Sequence, residues 1–376
     1  MSKTAVYTLA SVLHNAEQVK MLTQEFLSTV RLDYVLRNSD FSDYGTHALD
    51  VIYVCTGGTE GIFQQLLPSL LQRSTRPVCL LASGNSNSLA ASMEILSYLQ
   101  QHHVSGEIIH GDEEYVNRRL HLLEQTGEAR RRLNGCRLGI IGEPSDWLIA
   151  SHADREVVKQ RLGISLVDIA MQELFNAMPG DNSIYAALKT IMEAHQLQGF
   201  TLRCFDLIGR LHDTGCLPLA RLNAAGYVAG CEGDVPAMLS MAIVRALFNV
   251  SGFQANPATI HPATGELLFA HCTIPLNMVD RYELDTHFES GLGTGVRGFM
   301  KEGPVTVFKV SGDLKRHFIA EGHLVRSLAK PNMCRTQQVI QLTDRSQASY
   351  FLNAPIGNHH IILPGHHREE LEEFLK

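Results

Sequence analysis

The sequence predicts an α/β protein: two doubly wound parallel-sheet domains followed by a mainly β, barrel-like C-terminal domain. Three observations predict it. Strand-like and helix-like stretches alternate over the first 250 residues. The strands are short continuous apolar runs ending in Gly, Ser or Thr before a helix, as in a parallel sheet covered on both faces. After residue 250 the pattern changes to short strands separated by turns. At 376 residues the chain is too long for one ordinary core, and domain boundaries are placed at 1–150, 151–250 and 251–376.

In the first domain "TAVYTLAS" reads as a strand and residues near 15–30 as a helix. "DVIYVCTGG" leads into the helix "TEGIFQQLLPSLLQ", and "RPVCLLASG" into "NSNSLAASMEILSYLQQHH". "GEIIHG" precedes a long polar helix, and "CRLGIIGEPSDW" closes the domain. The second domain repeats this grammar: "ISLVDIA" is a strand, "DNSIYAALKTIMEAHQL" a helix capped by Asp181, and "FTLRCFDLI" another strand. It ends in "CEGDVPAMLSMAIVRALF", residues 231–248, whose apolar positions point almost all round a helix. Such a helix is buried. In the third domain "GELLFAHCTIP", "GPVTVFKVSG", "HLVRSLA", "TQQVIQL" and "APIGNHHIILP" are strands, and "HHREELEEFLK" is a closing helix.

A hydrophobic content of 45% with 19% charged residues describes a soluble globular protein. The net charge of −7, without a basic run, argues against a nucleic-acid surface. No apolar run reaches the roughly 18 residues of a membrane span, because Arg245 interrupts the best one. The opening "MSKTAVYTLASVLHNAEQ" does not read as a signal peptide. The eight cysteines include no CxxC pair and several sit in apolar strands, as expected of buried thiols in a reducing cytoplasm.

The CEGD segment poses the functional question. If the helix is buried, its first turn is buried too, and a carboxylate there is expensive unless something charged or hydrogen-bonded meets it. Asp234 has an alternative role as N-cap of a helix with Pro236 in its first turn. Glu232 occupies no cap position. Two other apolar stretches carry metal-type side chains: "LLFAHCTIP" with His271, and "IGNHHIILPG" with His359 and His360. Carboxylate oxygens with imidazoles suit Mn²⁺, Mg²⁺, Fe²⁺ or Co²⁺. A lone His271 is, on pattern alone, more often a satisfied core histidine.

The stretches "TLRCFDLIGR…TGCLPLARLNAAGYVAGCEGDVPAMLSM", "FQANPATI", "LLFAHCTIP", "HFESGLG", "CRTQ" and "GNHHIILPGHHREELEEF" resemble the L-fucose/L-arabinose isomerase family. The likeness is concentrated in residues 200–376. It implies a metal-dependent aldose–ketose isomerase, probed best with Mn²⁺, working through a cis-enediol. It also implies a homo-oligomer, from dimer to hexamer, whose sites are shared between subunits. The family's metal-binding, proton-carrying glutamate falls on Glu232. Its C-terminal metal histidine falls on His359 if Gly365 sets the register, with His360 as the alternative. Its second carboxylate ligand falls near "FQAN", where this chain has Asn256 and no acid. An amide oxygen can touch a metal, but an amide accepts no proton at neutral pH. Asp234, His271 or a water must then move protons between the substrate oxygens.

Further substrate-binding groups are expected around this centre. Trp147, the only tryptophan, follows a strand in "GEPSDWL", where its ring can cover a sugar face or simply pack. Asn85 in "ASGNSNSLAAS" offers an amide at a helix start, either for sugar oxygens or as part of a tight βα turn. His287 and Glu289 in "HFESG" reach the substrate or form a surface pair. The leading expectation is a sugar isomerase. Its rivals are a family member that binds a sugar as a sensor or regulatory subunit, with Asn256 as its argument, and a metal-free two-lobed sugar-binding protein.

Overall fold

Short, fully apolar strands need cover on both faces, and the first part of the chain supplies it. Strands β1 (Thr4–Leu9), β2 (Tyr34–Asn38), β3 (Leu49–Val54), β4 (Val78–Ala82) and β5 (Gly106–Ile109) form a parallel sheet in the order β2-β1-β3-β4-β5. Alternate residues feed two apolar clusters: Tyr7, Ile52 and Leu80 pack in one, Val6, Val51 and Leu81 in the other. The computed structural model describes residues 3–180 and 183–376 of the chain. These residues divide into two compact units, one ending at Arg131 and the other running from Arg132 to Lys376.

The second unit opens with β6 (Arg137–Ile141), β7 (Ser165–Ile169), β8 (Gly199–Leu202) and β9 (Val228–Cys231), a parallel sheet in the order β7-β6-β8-β9. The strand of "CRLGIIG", assigned by sequence to residues 1–150, therefore belongs to the second sheet. Apolar content alone does not say which neighbours a buried strand hydrogen-bonds. Within "FTLRCFDLI" only the first part is strand, and Phe205–Leu211 is a helix. The expected cap Asp181 lies outside the described residues. The helix Ile184–Ala194 is capped by Ser183, whose Oγ accepts from the Ala186 N–H at 3.3 Å.

The chain then forms β10 (Phe253–His261), β11 (Glu266–His271), β12 (Arg281–Asp285), β13 (Gly295–Phe299), β14 (Gly303–Val310), β15 (His317–Leu328), β16 (Thr336–Leu342) and β17 (His360–Pro364). Six of these close an antiparallel barrel in the order β10-β11-β16-β15-β14-β17, while β12 and β13 make a separate ribbon. Phe253, Leu267, Phe269, Val307, Leu324 and Ile340 fill the barrel core. The sheet and the barrel share one unit, so the division placed at 250 marks a change of architecture inside it.

The helix Val235–Phe248 explains its own composition. It packs against β8 and β9 of the sheet on one side and β14 and β17 of the barrel on the other. All its residues except Arg245 and Phe248 are buried. All eight cysteines are free, and six of them are buried. Among the described residues no helix is long and apolar enough to cross a membrane.

Candidate metal and sugar site

Strand order fixes where the site lies. In the second sheet the order reverses between β6 and β8, and ligands of open α/β sheets bind beyond the carboxyl ends of the strands at such a point. The segment leaving β9, the strand next to β8, is Cys231–Asp234; it bonds back to the loop after β6 through Ser145, and its backbone is unusual. Glu232 has φ 62° and Gly233 φ 72°, two consecutive left-handed residues. For a glutamate this conformation is uncommon and strained. Hydrogen bonds hold it: the Gly233 N–H donates to Leu202 O at 3.0 Å, and the Ser145 N–H to Glu232 O at 2.9 Å. A Cβ on residue 233 would lie 2.5 Å from Glu143 O, so glycine is required. The turn brings the Glu232 side chain over the strand ends and starts the helix at Asp234.

Glu232 is 9% exposed. Trp147 Nε1–H donates to Oε2 at 2.8 Å. Oε1 lies 3.4 Å from His271 Nε2 and 3.5 Å from His359 Nε2. The three donor atoms lie within 4.8 Å of one another, and no other such group of His, Cys, Asp or Glu occurs among the described residues. Burial works against charge on Glu232, but His359 and His271 outweigh it and hold the carboxyl well below the usual carboxylate range.

Each histidine has its orientation set from the far side of the ring. His271 Nδ1 is 2.9 Å from Thr273 Oγ1. His359 Nδ1 is 2.9 Å from Asp234 Oδ2. Ionised Asp234 only accepts, so His359 carries its proton on Nδ1 and turns Nε2 toward Glu232. Burial opposes a proton on His359, yet Glu232 and then Asp234 raise its pKa to about 9 in the metal-free protein.

The structure separates the two C-terminal histidines. His360 points to the barrel interior, where its ring meets Phe269, Phe318 and Phe351. Its Nε2 pairs with Tyr350 OH at 3.0 Å and its Nδ1 with Asn358 O at 3.0 Å. Burial lowers its pKa to about 3. His360 is thus a core residue rather than a substrate contact. His360 opens β17 and faces the barrel core, while His359, one residue before the strand, faces Glu232.

Asp234 also departs from expectation. It is wholly buried and is not on the cleft wall. Its Oδ1 accepts from the Ala237 N–H at 2.8 Å, which makes it the helix cap. Lys309 Nζ sits 3.4 and 3.5 Å from its two oxygens. Burial opposes its charge, but Lys309 and then His359 keep the Asp234 carboxyl well below the carboxylate range. A catalytic role needs contact with substrate, and Asp234 has none available.

Above Glu232 opens a cleft of about 470 Å³, lined by Trp147, Phe205, Glu232, Asn256, Glu289 and Asn358. Trp147 is half exposed and meets Phe205 edge-on at 4.7 Å, and Phe205 meets His287 at 5.5 Å. His287 is buried behind Phe205, with Nδ1 3.0 Å from Ser290 Oγ, and it is not on the wall. Asn85 belongs to the other unit, in the turn from β4 to its helix, where its N–H donates to Ser83 Oγ at 3.3 Å. Phe205, Asn358 and Lys309 escaped the sequence reading. A lysine inside the apolar strand "VTVFKV" was the one available signal. A larger cleft of about 1150 Å³ at the ends of β6 and β7 holds Arg155 and Arg203, already paired with Asp168 and with Asp146 and Asp206.

Two buried atoms at the site have no hydrogen-bond partner: His359 Nε2 and Asn256 Oδ1. Leaving buried polar atoms unpaired is costly. A divalent cation at Glu232, His271 and His359 would satisfy His359 Nε2, and this carboxylate and two imidazoles, with the Asn256 amide on the wall of the same cleft, form a donor set suited to Mn²⁺, Fe²⁺ or Co²⁺. The residues therefore fit a metal.

No protein-family model matches the chain. The chain is similar to two proteins named sulfoquinovose isomerase, from Priestia aryabhattai and Priestia megaterium. It is 23% identical to each over 262 residues. The aligned part is 60% of this chain and 59% of each relative, so the chain spans about three fifths of the length of the curated relatives it matches.

Proposed function

We propose that this chain is an aldose–ketose isomerase that acts on a sugar with a divalent cation bound at Glu232, His271 and His359, Asn256 adding an oxygen. The single observation that carries the reading is the buried Glu232 carboxylate, locked by Trp147 against two imidazole nitrogens, one of them without a hydrogen bond. The similarity to proteins named for sugar isomerisation points the same way. When bound, the cation would supply Lewis-acid stabilisation of the negative charge that develops on the two substrate oxygens.

The chain's own groups do the rest. Glu232 takes the proton from carbon 2 of the aldose and returns it to carbon 1, with a cis-enediol between the two transfers; such a base is typically worth about 10²–10⁴-fold. The hydroxyl proton moves from the carbon 2 oxygen to the carbon 1 oxygen. His271 Nε2 is committed to the cluster and Asp234 is sealed off, which leaves Glu289 as the second carboxylate of the cleft for that transfer. Trp147 and Phe205 offer apolar faces to the C–H side of a sugar, while Asn256 and Asn358 offer amides to its hydroxyls.

Asn256 favours a second reading, a sugar sensor without turnover, because it stands where the resemblance places an acid. Exchange in D₂O separates the two. With Mn²⁺, a panel of hexoses, 6-deoxyhexoses, pentoses and a 6-sulfonated ketose should yield at least one sugar that gains deuterium beside the carbonyl. A chelator should abolish that exchange. Binding without exchange for every sugar, with exchange appearing in Asn256→Asp, would establish the sensor and overturn the enzyme.

A further inference from the structure

Lys309 is a buried cation that the proposed chemistry does not use. It lies on β14, in register with Val305 and Val307 of the barrel core, and is 1% exposed. Its hydrogen bonds both run to Asp234, at 3.4 and 3.5 Å. A buried ion pair is seldom more stabilising than apolar residues of the same volume, so its presence invites a reason beyond stability. Asp234 is held from three elements at once. The start of the helix Val235–Phe248 binds Oδ1 through the Ala237 N–H, β14 brings Lys309 against both oxygens, and His359, just before β17, meets Oδ2.

That arrangement fixes a direction. The His359 ring is buried and packs edge-on against His271 at 5.2 Å, and the contact with Asp234 Oδ2 decides which ring nitrogen faces Glu232, holding Nδ1 away from it and Nε2 toward it. Asp234 in turn has one N–H bond from the helix on Oδ1, and Lys309 is the fixed cation that braces both oxygens so that Oδ2 stays aimed at the imidazole. We infer that Lys309 is a positioning residue for the metal site, acting through Asp234 to aim His359 Nε2 at the cation. This rests on the metal reading of Glu232, His271 and His359 proposed above. Partners of this kind behind a ligating histidine are typically worth about 10- to 100-fold in metal affinity.

The test is titration of the purified full-length chain with MnCl₂, reading free Mn²⁺ by its EPR signal, alongside the melting temperature of each metal-free variant. Lys309→Met should weaken Mn²⁺ binding by about 10- to 100-fold. Asp234→Asn should weaken it comparably. The double variant should bind Mn²⁺ no more weakly than Asp234→Asn alone, because Lys309 reaches His359 only through Asp234. Lys309→Gln keeps a donor for Asp234 and should bind better than Lys309→Met. It and the double variant, in which no unpaired charge is buried, carry the test if Lys309→Met does not fold. Folded Lys309→Met with Mn²⁺ affinity within about twofold of the parent, or Lys309→Gln binding no better than a folded Lys309→Met, would assign Lys309 a purely structural role. So would losses that multiply in the double variant. Absence of Mn²⁺ binding by the parent itself would instead overturn the metal reading, and this inference with it.

Discussion

Glu232 combines three properties that rarely coincide: a left-handed backbone, near-complete burial, and a carboxylate facing two imidazoles. Strain of this kind persists where the surroundings over-determine it, as the bonds from Gly233, Ser145 and Trp147 do here. Glu232→Gln keeps the shape and one oxygen for the proposed cation while removing the proposed base. Its kcat should fall by about 10²–10⁴-fold with sugar binding retained. A fall of less than about tenfold in steady-state assays would make Glu232 structural. The pH dependence follows from His359. In the metal-free protein its pKa is raised to about 9, against about 6.5 in an unfolded chain. The stability it contributes is fully present below about 6.5 and is lost as pH rises toward 9. A cation needs the same nitrogen bare, so Mn²⁺ binding should tighten over that interval as metal-free stability falls. Parallel melts and Mn²⁺ titrations across that range check both slopes.

At the scale of elements, the turn between β9 and the buried helix carries most of the site. Gly233 is its weakest tolerance: a Cβ there meets Glu143 O at 2.5 Å and Pro144 Cα at 2.7 Å, with φ at 72°. Gly233→Ala should destabilise the protein by at least about 1 kcal/mol in urea unfolding. It should also displace Glu232, so Mn²⁺ affinity should drop along with stability. Unchanged affinity in a destabilised but folded variant would separate the turn from the site. The same segment shows how far local pattern reaches. The all-round apolar run of 235–248 announced a buried helix, and the helix is buried because sheet and barrel both close on it. β2, half-buried at the sheet edge, left too faint an alternation to be read.

At the scale of the whole molecule, assembly is the open expectation. From the resemblance of residues 200–376 to the L-fucose/L-arabinose isomerase family we propose a homo-oligomer whose sites are completed by a neighbouring subunit. Each unit also carries bare apolar side chains on loops, Val12 and Leu13 in the first and Ile149 in the second, each at least 86% exposed. We expect a homo-oligomer in sedimentation analysis and loss of turnover on dilution to monomer. Mixing Glu232→Gln with a variant carrying Val12→Asp and Leu13→Asp should restore part of the activity if the loop serves a neighbour. A fully active monomer, or no restoration from two folded inactive variants, would exclude shared sites.

Local chemistry was enough to foresee the parallel-sheet strands, the β-rich end, the buried helix and the oddity of a carboxylate at its mouth. Each of those depends on residues within a turn or two of one another, which is the range that hydrophobic period and capping preferences encode. The partners of that carboxylate depended on barrel closure. Strand pairing placed β11 and β17 so that His271 and His359 converge on Glu232, and no local period specifies which distant strands will pair. The entry of β17 into the barrel turned His360 to the core and left His359, just before it, facing Glu232, and the packing of β14 behind the helix turned Asp234 from a possible acid into the fixed support of a histidine. Domain membership of the strand at 137–141 was decided the same way, by which backbone its amides met.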